Sequence, residues 1–146
     1  VIKTTGRNQL FGCITDIRAG AVNAEVMVKL KGGELIVTTT DLAALNELAL
    51  KIGVDAVLLI NSADITLVVD AGSYQFSARN RLAGHVLSVQ QNAAYVDVIV
   101  LLPSGETLIA NITAQSLQNL KLSAGKPVWA IFKTNVPYLG IRDTLN

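Results

Sequence analysis

The chain has 146 residues, 51% apolar and only 16% charged, enough core material for one ordinary domain or two small ones. Its 12 basic residues against 11 acidic give a formal net charge of +1, which excludes an acidic solvating tail and a strongly basic surface and argues against nonspecific nucleic-acid binding through many phosphate contacts. A lone Cys13 cannot close an intrachain disulfide, no run of about 18 apolar residues occurs, and the N-terminus lacks signal-peptide shape, so a soluble cytoplasmic protein without membrane partners is expected.

In chain order, Thr5 to Ile17 mixes apolar and polar residues around Gly12, which in a strand predicts a bulge or a bend at a barrel corner. Arg18-Ala19-Gly20-Ala21 predicts a turn. Ala24, Val26, Val28 and Leu30 then alternate with Glu25, Met27 and Lys29, the period of a half-buried strand. Lys31-Gly32-Gly33 is a hairpin signal, and Glu34 to Thr39 is the returning strand, rich in β-branched residues. Leu42, Leu45 and Leu48 recur at helical spacing behind Thr40-Asp41, either of which can cap a helix start. Lys51-Ile52-Gly53 ends that helix. Ala56 to Ile60 and Ile65 to Val69 read as two further strands, and Asp70-Ala71-Gly72-Ser73 as a linker.

The same order then repeats at an offset of 72 residues. Arg7 aligns with Arg79, Asn8 with Asn80, Gly12 with Gly84, Val26 with Val98, Gly33 with Gly105, Glu34 with Glu106, Leu45 with Leu117 and Gly53 with Gly125. Val98, Val100 and Leu102 alternate like their twins, Pro103-Ser104-Gly105 replaces the hairpin turn, and Thr113 to Leu117 opens a second helix with Leu117 and Leu120 facing inward. Val128 to Lys133 and Tyr138 to Ile141 are the closing strands. Each unit therefore reads as about five short strands with one small helix before the fourth. The expectation is an all-β protein of two tandem small Greek-key β-barrels, of the type that binds oligonucleotides and oligosaccharides, divided as residues 1–70 and 71–146.

Nothing in the sequence assembles an enzyme. His85, the only histidine, is matched by Cys13 in the other repeat, and there is no Walker loop, GxSxG or HExxH motif and no cluster of His, Cys or carboxylates for a metal cation. Glu25 and Asp97 are equivalent acids read as solvated surface. A nucleic-acid-binding module is the alternative for such barrels, but aromatics are only 5% and are not interleaved with Lys or Arg. What remains is a donor set suited to an anion: Ser77, Arg79, Thr113, Ser116 and Lys133. If Thr113 caps its helix, Ser116 lies in the first turn, where backbone N–H groups are free and the dipole is positive. A tetrahedral oxyanion offers only acceptors, so donors of this kind are what it requires.

Ser77-Ala78-Arg79-Asn80, Leu122-Ser123-Ala124-Gly125 and Val128 followed by Lys133 resemble the signature of the molybdate-binding Mop domains (molbindins). The tandem arrangement is similar to the di-Mop proteins: storage molbindins, and the C-terminal half of the molybdate-responsive transcriptional regulator. The resemblance implies small barrels that bind molybdate or tungstate between subunits or repeats, in a homo-oligomer (dimer or trimer). Ser77, Ala78 and Arg79 would then hold the anion from the first strand, Thr113 and Ser116 from the helix start, and Lys133 from the fourth strand. In the first repeat it implies Thr5, Gly6, Arg7 and Thr40, but Asn61 stands where Lys133 does, Ala44 where Ser116 does, and Asp41 where Thr113 does. That repeat is expected to bind weakly or to lend part of a composite site. If the chain is part of the regulator, DNA contact would come through a separate N-terminal domain. A pure oligomerisation domain is a further alternative.

Overall fold

The structure is a computed structural model and describes residues 8–142. The first repeat supplies β1 (Asn8–Ala19), β2 (Asn23–Leu30), β3 (Leu35–Asp41), α1 (Leu42–Glu47), β4 (Asp55–Ile60) and, after a 3-10 turn at Ser62–Asp64, β5 (Thr66–Val68). The second supplies β6 (Asn80–Gln91), β7 (Tyr95–Leu101), β8 (Thr107–Thr113), α2 (Ala114–Leu120), β9 (Pro127–Phe132) and β10 (Tyr138–Ile141). The alternation read from β2 is what packs: Ala24, Val26, Val28 and Leu30 are buried, as are Val96, Val98, Val100 and Leu102 of the second copy. One apolar core, including Ile14, Ile36, Leu58, Val86, Leu108 and Phe132, runs through both units.

β1 and β6 are the long strands on which each unit turns. β1 pairs with β4 through its first half and with β2 through its second, all antiparallel, and β6 does the same with β9 and β7. At the changeover sit Gly12 and Gly84. A Cβ at Gly12 would collide with the Lys29 carbonyl oxygen, and one at Gly84 with that of Leu101. These glycines let two backbones cross closely. The β-bulge lies three residues further on, between Ile14 and Asp16 and between Val86 and Ser88, inside the stretch already paired with the second partner.

The strand order is β10-β4-β1-β2-β3 in one sheet and β5-β9-β6-β7-β8 in the other. The fifth strand of each repeat therefore lies in the sheet of the other. Tyr138 to Ile141 pair with Leu59 to Ala56, and Thr66 to Val68 with Ile131 to Trp129. The sequence reading pictured each unit as self-contained. The division near residue 70 separates the repeats of the sequence, while the sheets are built across it. The exchange also helps to close the first unit. Thr39 N–H donates to the Thr134 carbonyl at 2.9 Å and the Thr38 hydroxyl to the Pro137 carbonyl at 3.2 Å, tying β3 to the segment that leads into β10.

Two asparagines lock the halves together. Asn80, 1% exposed, accepts from Val37 N–H and donates to Val37 C=O, both at 2.8 Å. Its twin Asn8, 4% exposed, accepts from Ile109 N–H at 2.7 Å and donates to Ile109 C=O at 2.9 Å. Each amide acts as a piece of strand, satisfying both backbone groups of one residue in the other repeat.

Candidate functional site

Thr113 caps α2. It sits in extended conformation, φ −83° and ψ 156°, and its hydroxyl oxygen accepts from Ser116 N–H at 3.1 Å. The Thr113 hydroxyl also donates to Ser116 Oγ at 3.0 Å, which leaves the Ser116 proton free to point outward. The local rule behind this cap is a short polar side chain before an apolar-periodic helix. In the first repeat the cap is Asp41, whose carboxylate accepts from Ala44 N–H at 2.7 Å. Thr40, the alternative cap weighed from sequence, does not hold that position. It lines a different cleft, of about 270 Å³, with Ala44, Asn135 and Tyr138. A carboxylate now occupies the helix start where an anion would need donors.

Ser77, Ala78 and Lys133 come together. They line a cleft of about 380 Å³ with Asp64, Thr66 and Val136. The convergence follows from pairing: Asn80 opens β6 opposite Phe132, the last residue of β9, so the residues just before one and just after the other emerge at the same end. Ser77 and Lys133 are both exposed there. Asp64 and Thr66 belong to the first repeat and arrive because β5 crosses over to pair with β9. Sequence reasoning missed them, since Asp64 aligns with Val136 at the repeat offset and carries no local signal of the crossing.

Arg79 points elsewhere. Its guanidinium pairs with the Glu25 carboxylate of β2, with the two side chains 48% and 38% exposed. Glu25 is thus an ion-pair partner rather than merely solvated surface, and its twin Asp97 is 4% exposed and accepts from Asn111 Nδ2 at 2.8 Å. Asp97 differs from its reading as solvated surface because Asn111 on the neighbouring strand, invisible in local sequence, engages it, whereas Glu25 stays partly exposed within its ion pair. His85 is exposed. Thr5, Gly6 and Arg7 lie outside the described residues. Thr113 and Ser116 do not line the Ser77–Lys133 cleft, so within one chain the candidate donors are distributed over separate places.

The fold and its internal repeat define a duplicated small β-barrel protein. The chain belongs to the TOBE-domain family, whose domain matches residues 4–67 and again 77–135. It is 37% identical over 142 residues to the molybdenum transport protein ModE of Herbaspirillum seropedicae, covering 97% of this chain and 53% of that one. It is 31% identical over 134 residues to the molybdenum-pterin-binding protein MopA of Rhodobacter capsulatus, covering 92% and 51%. The chain thus spans about half the length of the curated relatives it matches. Among solved structures, the cytoplasmic molybdate-binding protein ModG with molybdate bound superposes with a TM-score of 0.93 at 29% identity, covering 97% of this chain and all of that one.

Proposed function

We propose that this chain binds molybdate or tungstate, in molybdenum homeostasis, and makes or breaks no covalent bond in doing so. The observation that carries the reading is the convergence of Ser77, Ala78 and Lys133 in one cleft, although they come from opposite ends of the second repeat. Lys133 supplies charge against a −2 anion, the Ser77 hydroxyl a donor to its oxygens, and Arg79 a second cation once turned from Glu25. The likeness to molybdate-loaded ModG supports the same reading.

The remaining donors, Thr113 and Ser116, lie at the start of α2 and do not line this cleft. We infer that a second copy of the chain brings its helix start to the Ser77–Lys133 cleft, so that the complete site belongs to a homo-oligomer, dimer or trimer. Thr5, Gly6, Arg7 and Thr40 would give the first repeat a weaker site, with Asp41 opposing the anion. The protein acts in the cytoplasm, and DNA enters only through a separate N-terminal domain if this chain is half of a regulator like ModE. In storage, the same site buffers the anion.

Calorimetric titration of the chain with molybdate, tungstate and sulfate at neutral pH tests the proposal. The expected result is tight binding of the first two and poor binding of sulfate. Absence of heat with molybdate and tungstate overturns it.

A further inference from the structure

Glu34 and Glu106 occupy the same position in the two repeats, directly after the hairpin turns that join β2 to β3 and β7 to β8. The turns meet. A Cβ at Gly32 would overlap Ser104, and Ser104 Oγ accepts from Glu106 N–H at 3.3 Å. Both carboxylate oxygens of Glu34 and Oε2 of Glu106 are buried and have no hydrogen-bond partner among the described residues. Three orphan oxygens on two adjacent anions are costly, because burial removes water without supplying a donor and like charges repel. One proton relieves both terms at once: it removes a charge and turns one orphan oxygen into a donor for another.

We propose that Glu34 and Glu106 form a carboxyl pair that holds one proton across the contact between the two hairpins, so that the repeats dock more firmly here as the medium acidifies. The charged groups whose fields act on Glu106 are Glu34 and Lys31, both from the first hairpin; its own turn, Pro103-Ser104-Gly105, carries no charge. Burial, then the Glu34 charge, push the Glu106 carboxyl above the ordinary glutamate range, and Lys31 only partly offsets them. The native state therefore keeps a proton that the unfolded chain has released. The resulting stabilisation is full below the unfolded value and is lost as pH rises through the raised one.

Urea unfolding of the intact chain from pH 5 to 8 reads this directly, comparing wild type with Glu34→Gln and Glu106→Gln. At pH 8 the Glu106→Gln midpoint should lie above that of wild type, because the amide brings donors and no charge. The gap should close as pH falls toward 5. Parallel profiles, or a Glu106→Gln chain less stable than wild type at pH 8, overturn the proposal. Carbon-13 NMR titration of the wild-type glutamate carboxyls keeps it testable if a variant does not fold. One carboxyl should titrate above the ordinary range and move down toward it in Glu34→Gln, burial holding the remainder of the shift; ordinary titration of every glutamate refutes the pair.

Discussion

Lys133 and Asn61 stand at equivalent positions, yet only Lys133 is charged, the one cation in a cleft it shares with the Asp64 carboxylate. A hydrogen bond to a charged group contributes about 1.5–3 kcal/mol. Lys133→Ala should therefore weaken molybdate binding by roughly tenfold or more, while Asn61→Ala should change it less than about twofold, both by calorimetry. Equal effects would refute the ranking of the repeats. At this scale the sequence was readable wherever the determining interaction is local. Thr113 announces itself as a cap because its partner, Ser116 N–H, is three residues away. Asp97 was misjudged, and the ion pair of Glu25 missed, because Asn111 and Arg79 reach them from 14 and 54 residues away. For Asp64, nothing in its neighbourhood foretells a place beside Lys133.

Among the elements, the opening residues of β1 and β6 carry more than their ladder bonds. Asn8 and Asn80 each satisfy a buried N–H and C=O across the repeat boundary. Asn80→Ala would orphan both backbone groups of Val37 and leave a void. Each orphaned group costs about 1–3 kcal/mol, so a loss of about 2–6 kcal/mol in urea denaturation is expected, with Asn8→Ala similar. Negligible loss for both would show that the amides only fill space. The strands themselves were legible because period-two alternation records burial directly, as in Ala24 to Leu30. Gly12 was read as a bulge or bend. Its function is the close crossing over Lys29, with the bulge displaced to follow Ile14, a difference that only the pairing register reveals.

At the scale of the whole molecule, the order of strands was the feature least available from sequence. Each strand's own residues say that one face is buried, not which neighbour lies beside it, so β5 and β10 gave no sign of exchanging sheets. A chain ending before Tyr138 tests the exchange. It should lose amide-exchange protection along β4, in the first repeat, because Tyr138 to Ile141 pair there. Loss confined to β9 would contradict the topology. The exchange also alters what the segment between β5 and β6 is for. Were that segment cut, each fragment would still hold a strand belonging to the other's sheet, and both asparagine clamps would remain spanned. The connection is a tether more than a hinge: it keeps the two halves at high effective concentration so that they find each other during folding. Once interleaved, the halves resist separation by their own backbone pairing, whether or not the thread that introduced them is intact.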